Sequence, residues 1–138
     1  MDFTKLGGLV PAVIQDDDTS EVLMVGFMNQ EALLRTRLEG QVTFFSRTRD
    51  RLWTKGETSG NRLAVRQVFT DCDRDAVLVR VVRLGAGIVC HTGERSCFHV
   101  PLPAETLTVV EAGASACRGG DGEPVDPNLD GIVQEIIR

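Results

Sequence analysis

Between residues 21 and 45 the chain reads EVLMVGFM, then NQEALLRTRLEG, then QVTFF. This is an apolar strand pattern, a helix marked at both ends, and a second strand pattern. Asn29 is a good helix N-cap and Gly40 a good terminator. Ala32, Leu34 and Leu38 supply the expected inward side, and Glu31 can support Arg35 one turn on. It is the one convincing helix of the central chain. Its neighbours are strand-like. LVPAVIQD (9–16) is predicted at a sheet edge, because Pro11 lacks the N–H that a central strand uses. EVLMVGFM is predicted as a buried strand. LAVRQVFT (63–70) and AVLVRVVRL (76–84) complete the set. In the last, Val77, Val79 and Val81 alternate with Leu78, Arg80 and Val82, which fits a sheet covered well on one side only. Several strands around one helix predict an α+β fold with a mixed or antiparallel sheet, not a doubly wound one.

A chain of 138 residues, 42% hydrophobic, suits one domain with a real but modest core. We expect that domain to span 1–110, with ETLTVV (105–110) as one more strand. EAGASACRGGDGEPV then reads as a linker. Asp126 and Pro127 start a short C-terminal amphipathic helix, with Leu129, Ile132, Val133 and Ile136 on one stripe. Linker and helix together make 111–138. The start of the chain lacks a secretory leader's pattern, and no apolar run reaches the roughly 18 residues of a membrane span. The expected compartment is therefore cytoplasmic, where cysteines serve as thiols or metal ligands.

The net charge of −5 argues against a general nucleic-acid or anionic-membrane surface. One Trp and no Tyr leave few platforms for stacking bases. The charge is uneven, however. SRTRDRLWTKGETSGN (46–61) is polar, basic and rich in turn formers, and is expected to be a long loop. If the preceding strand continues, Arg47, Arg49 and Arg51 share a face and can hold a phosphate with guanidinium forks. Lys55, Thr58 and Ser59 follow, and Gly56 and Gly60 can turn backbone N–H groups toward an oxyanion. Trp53 can stack on a planar base or anchor the loop to the core. The spacing is not that of a Walker loop, and an ordinary solvated loop has the same composition.

FTDCDRDAVLV (69–79) raises a different problem. Asp71, Asp73 and Asp75 sit at every second position, with Cys72 between two of them. Repulsion among the carboxylates must be offset, and a cation does so directly. If the stretch is extended, the aspartates share one face and Cys72 points to the other. Two sites then lie back to back: a hard ion such as Mg2+ on the aspartates, and a softer one such as Zn2+ on Cys72 with Cys90 and Cys97. Three cysteines leave a position for water, as catalytic zinc sites do. The plain alternatives are a solvated acidic turn and three chemically idle thiols. Cys117 lies in the linker and is the least positioned of the four cysteines.

FSRTRDRLWTKGETSGN, DCDRDA and CHTGERSCF, with VLMVGFMNQEAL (22–33) before them, closely resemble the phosphoribosyl-AMP cyclohydrolase family over about residues 8 to 100. The resemblance implies a zinc-dependent hydrolase of histidine biosynthesis. Water adds at C6 of the adenine ring of 1-(5-phosphoribosyl)-AMP, and the N1–C6 bond opens. It implies zinc on Cys72, Cys90 and Cys97 and magnesium on Asp71, Asp73 and Asp75. It also implies an intertwined homodimer, in which Cys72 of one chain meets Cys90 and Cys97 of the other. His91, beside Cys90, is the candidate acid–base or a positioning group for the zinc ligand. His99 is expected to be a strand or surface residue. Arg47, Arg49, Trp53, Lys55, Thr58 and Ser59 are the candidate contacts to a nucleotide with two phosphates. The stretch after Val100 is too short for the fused pyrophosphohydrolase domain of some members, and residues 104–138 match no familiar family block. The runner-up is a zinc-stabilised nucleotide-binding module without turnover. A magnesium-dependent phosphohydrolase leaves the thiols unexplained.

Overall fold

In this computed structural model residues 1–104 are described, and Met1–His99 form one compact unit. The expected strand at 105–110, the boundary at 110, the C-terminal helix and Cys117 lie outside the described residues.

The apolar periodicities become six strands and one helix in an α+β arrangement. They are β1 (Val10–Asp16), β2 (Val22–Met28), α1 (Gln30–Glu39), β3 (Thr43–Ser46), β4 (Arg51–Thr54), β5 (Leu63–Thr70) and β6 (Val77–Arg83). A mixed four-stranded sheet runs β2-β1-β6-β5, and β3-β4 is a separate hairpin. The β1–β6 pair is parallel, and the β1–β2 and β5–β6 pairs are antiparallel.

Two strand placements are exchanged relative to expectation. Pro11 does not keep β1 at the edge. The β6 ladder begins only at Ala12↔Val77, so at Pro11 the strand has β2 alone as neighbour. Beyond that point the segment is central. The apolar EVLMVGFM segment instead forms the edge strand β2, with Val22 and Val25 exposed and Leu23, Met24 and Met28 buried.

The core lies on one face of the sheet. Val10, Ala12 and Ile14 of β1 and Val77, Val79 and Val81 of β6 point into it, following the two-residue period. α1, the β3–β4 hairpin and the residue just before β3 cover that face through Ala32, Phe44 and Val42. Gly26 lets the hairpin approach β2, since a Cβ there would stand 2.5 Å from the Phe44 ring.

Asn29 caps α1 by accepting the Ala32 N–H at 2.8 Å, and Gly40 ends it in the left-handed region at φ 72°. Glu31 and Arg35 pair at 3.7 Å, as expected. The inward face differs. Ala32 and Thr36 are buried, with Leu33 packed on the core, whereas Leu34 and Leu38 are 55% and 76% exposed. Thr36 wins its place by hydrogen bonding. Its hydroxyl accepts the Thr43 N–H at 3.0 Å and has the Ala32 and Thr43 carbonyls within donating reach, so the helix is tied to β3.

Candidate functional site

The basic stretch after β3 is not one long loop. Thr43↔Thr54 to Ser46↔Arg51 pair as a hairpin, and the chain reverses over 47–50 with Asp50 at φ 51°. The premise that Arg47, Arg49 and Arg51 share a strand face therefore fails, because the strand stops at Ser46. Arg49 and Arg51 still reach one cavity of about 430 Å³, along with Trp53, Lys55, Thr58 and Ser59. Arg47 lies elsewhere, its guanidinium carbon 4.0 Å from the Phe27 ring centroid. Trp53 packs on the core ring Phe44 at 5.2 Å between centroids, so it anchors the hairpin while also lining the cavity.

Beyond β4 the chain needs glycine. Gly56 has φ 83°, and a Cβ there would collide with the Asn61 backbone. The expected nest is only partly available, because the Gly60 N–H already donates to the Gly56 carbonyl at 2.8 Å. Sequence reasoning missed one member of this site, Glu57. Arg51 lines the cavity, and Glu57 stands beside it with its carboxylate 3.6 Å from Arg51. Glu57 also accepts the Thr54 N–H at 3.2 Å, so the one acidic side chain there closes its own turn.

Asp71 to Asp75 form a turn, not an extended strand. The Asp71 N–H donates to the Ala76 carbonyl, the Arg74 N–H donates to the Asp71 carbonyl, and Arg74 sits at φ 61°. Asp71 Oδ1 accepts the N–H groups of Asp75 and Ala76 at 3.0 and 3.2 Å. The turn brings one oxygen from each of Asp71, Asp73 and Asp75 within 4.8 Å of the others. The gathering of three carboxylates holds; its expected cause does not.

Lys5, far away in sequence, supplies the counter-charge. Its Nζ lies 3.1 Å from Asp73 and 3.0 Å from Asp75. Hydrogen bonds to Asp75 and Asp73 hold the Lys5 ammonium well above its usual range. Lys5, then Asp75, holds the Asp73 carboxyl low. Lys5 also lowers Asp75, but Asp73, desolvation and Asp71 outweigh it and leave that carboxyl raised. Three converging carboxylate oxygens, two of them on the ammonium, are a donor set that fits a hard cation.

The segment CHTGERSC runs along the edge strand β2. Cys97 N–H donates to the Leu23 carbonyl at 2.8 Å, Ser96 Oγ donates to the Val22 carbonyl at 2.8 Å, and Arg95 pairs with Glu21 at 2.8 Å. Its turn is closed by Gly93 N–H on the Cys90 carbonyl and Cys90 N–H on the Glu94 carbonyl, both at 3.0 Å. Cys90 is 7% exposed. The Thr92 hydroxyl and N–H, then His99, pull its thiol down to about 6. Burial, then Cys90, pushes the Cys97 thiol up. A thiolate beside a second thiol suits a soft metal.

His91 is exposed at the tip of this turn. His99 is a surface residue but not a strand one, and its Nε2 lies 3.8 Å from Cys90 Sγ and 3.3 Å from Thr92 Oγ1. Among the described residues of one chain, only the three aspartates form a group of three close enough to share an ion. Cys72 is exposed on the aspartate turn and is not gathered with Cys90 and Cys97.

An α+β scaffold thus carries an arginine-lined cavity, an acidic turn and a cysteine turn. A family model described as phosphoribosyl-AMP cyclohydrolase matches residues 24–99, more than half of the chain. The chain belongs to the phosphoribosyl-AMP cyclohydrolase family. A phosphoribosyl-AMP cyclohydrolase of Desulfatibacillum aliphaticivorans is 48% identical over 128 residues, covering 92% of this chain and 93% of that protein. One from Geotalea uraniireducens is 54% identical over 100 residues, 72% of this chain and 79% of that one. The histidine biosynthesis bifunctional protein HisIE of Haemophilus influenzae is 57% identical over 99 residues, 72% of this chain but 44% of its own length. The first of these matches runs well past residue 104, so the tail, which fits no familiar block, has a counterpart in that relative.

Proposed function

We propose that this chain opens the adenine ring of 1-(5-phosphoribosyl)-AMP by hydrolysis, as a step of histidine biosynthesis. One observation carries the reading: the family-matched span 24–99 contains the arginine-lined hairpin, the aspartate turn and the cysteine turn together. The oxygen of water bonds to C6 as the N1–C6 bond breaks, and N1 takes up a proton. Arg49, Lys55, Thr58 and Ser59 hold a substrate phosphate in the cavity, with Arg51 added to the set. Trp53 offers a ring face to the nucleotide. Arg47 serves through Phe27 and the hairpin, not through phosphate.

Cys72, Cys90 and Cys97 would hold zinc, which when bound lowers the pKa of water from about 16 toward 7. Asp71, Asp73 and Asp75 would hold magnesium, which supplies positive charge beside a substrate phosphate. His91 delivers the proton to N1, since its ring is exposed one residue from Cys90. His99 is engaged with Thr92 and Cys90 and positions the sulfur.

The zinc reading needs two chains, because one chain does not bring the three sulfurs together. The outer sheet face supports a second copy. Val25, Val13, Leu78 and Phe69 lie in register across all four strands as one apolar row, and Val25 and Phe69 are 43% and 48% exposed. The row ends beside the turn that carries Cys72. A cytoplasmic, reducing compartment fits the free thiols of Cys72, Cys90 and Cys97 among the described residues.

The test is incubation with phosphoribosyl-AMP, followed by ultraviolet absorbance, with and without a zinc chelator. We expect turnover that the chelator removes. Metal-replete protein without turnover would sink the assignment, and turnover after complete zinc removal would sink the mechanism alone. Inactive Cys72→Ala and Cys97→Ala chains should regain activity when mixed and allowed to exchange subunits. No recovery despite exchange ends the shared-site reading.

A further inference from the structure

The N-terminal segment is folded against the aspartate turn. The Asp2 N–H donates to the Arg74 carbonyl at 2.7 Å, and Gly8 N–H closes the segment on the Phe3 carbonyl at 2.7 Å. These bonds hold the backbone in place and aim Lys5 at Asp73 and Asp75. The ammonium lies between the two carboxylates where a divalent ion held by Asp71, Asp73 and Asp75 would find its oxygens. Side chain and ion cannot both take the same oxygen lone pairs at full strength. Lys5 is 47% exposed on a long flexible stem, so it can withdraw into water without unfolding anything.

We propose that Lys5 is a displaceable internal counter-ion. It satisfies the aspartates while the divalent ion is absent and must leave when the ion binds, so it sets the affinity for that ion. The inference rests on the magnesium reading above and adds a competitor to it. Asp71 is not paired with Lys5; it is occupied by the N–H groups of Asp75 and Ala76 through one oxygen. The turn therefore stays formed when Lys5 withdraws. Its release is a side-chain event, with the Asp2–Arg74 backbone bond left in place. The lysine also sets a selectivity, because a weakly bound monovalent ion does not displace an ammonium held by two carboxylates.

The test titrates Mg2+ calorimetrically into the full chain, into Lys5→Met and into Asp73→Asn. Lys5→Met should bind Mg2+ about 2- to 10-fold more tightly, the range expected on removing two exposed ion pairs. Asp73→Asn should lose the binding. In parallel, the unmutated chain is labelled with an amine-acetylating reagent and mapped by mass spectrometry, with Lys55 as internal reference. Mg2+ should raise labelling of Lys5 relative to Lys55. If neither the unmutated chain nor Lys5→Met binds Mg2+, the metal reading falls and this inference with it. If Asp73→Asn loses binding while Lys5→Met binds no tighter, the metal reading stands and Lys5 is only a structural clip. Tighter binding with Lys5 labelling unchanged by Mg2+ means a distant charge effect, and displacement is overturned.

Discussion

The chain carries two turns with three aspartates each, and they are used in opposite ways. In Asp16–Asp18, Asp16 is 4% exposed and every acceptor is engaged inside the fold. Its Oδ1 takes the N–H groups of Asp18 and Thr19, and its Oδ2 takes Arg83 Nε at 2.9 Å. Asp17 is gripped by Arg80 through both its carboxylate and its carbonyl. In Asp71–Asp75, one carboxylate closes the turn and the other two converge outward on a lysine. The first turn joins β1 to β2 and faces arginines carried on β6; the second faces a half-exposed lysine and solvent. The number of carboxylates is equal in the two. What separates the two turns is whether the counter-charge is partly buried and held on a strand or half exposed on a long stem.

That contrast can be broken by substitution. The largest effect is expected from Asp73→Asn, which should lower turnover on the order of 100-fold while the melting temperature stays nearly constant. Asp16→Asn should do the reverse. It leaves Arg83 beside a neutral partner and should cost about 3 kcal/mol in urea unfolding, with kcat/KM per folded molecule retained. Loss of activity from Asp16→Asn, or unfolding by Asp73→Asn, erases the distinction.

The Asp16 difference should also depend on pH. Burial raises this carboxyl, but the Thr19 N–H, Arg83 and the Asp18 N–H outweigh it, and the net shift is downward. A lowered folded pKa adds stability above the unfolded value, near about 3.9, and loses it as pH falls through the folded one. The gap in melting temperature between the natural chain and Asp16→Asn should be full at pH 6 and narrow below about pH 4. Arg80→Met should be milder, about 1 kcal/mol or less, because that pair is partly exposed. The smallest effect should come from Lys5→Met, which should leave the magnesium-free melting temperature within about 2 °C.

Much of the fold was legible because local rules agreed. Asn29 and Gly40 mark α1 at both ends, and the two-residue period of Val77, Val79 and Val81 gave a one-sided sheet. Thr36 shows the limit. Polar by composition, it takes the core position that Leu38 was expected to fill, because β3 offers its hydroxyl partners and the helix registers accordingly. β4 was unreadable inside the basic stretch, since its only large apolar side chains are Leu52 and Trp53 and its partner strand decides its state. Among site residues, Arg49, Trp53, Lys55, Thr58 and Ser59 do meet at one cavity, but by a hairpin reversal and not by continued strand alternation. Lys5 had no local signal at all.

Sequence alone determined which candidate donor groups the chain carries: carboxylates at every second position, sulfurs at Cys72, Cys90 and Cys97, and a basic run with glycines. Those are chemical properties of side chains and need no fold to exist. Only the tertiary structure decided which of them meet. Pairing β1 with β2 on one side and β6 on the other sets the cysteine turn along one sheet edge and the aspartate turn at the end of β5, and folds Lys5 back across 68 positions to that turn. Proximity between distant positions depends on strand order and chain reversal, which long-range packing selects and no local pattern encodes.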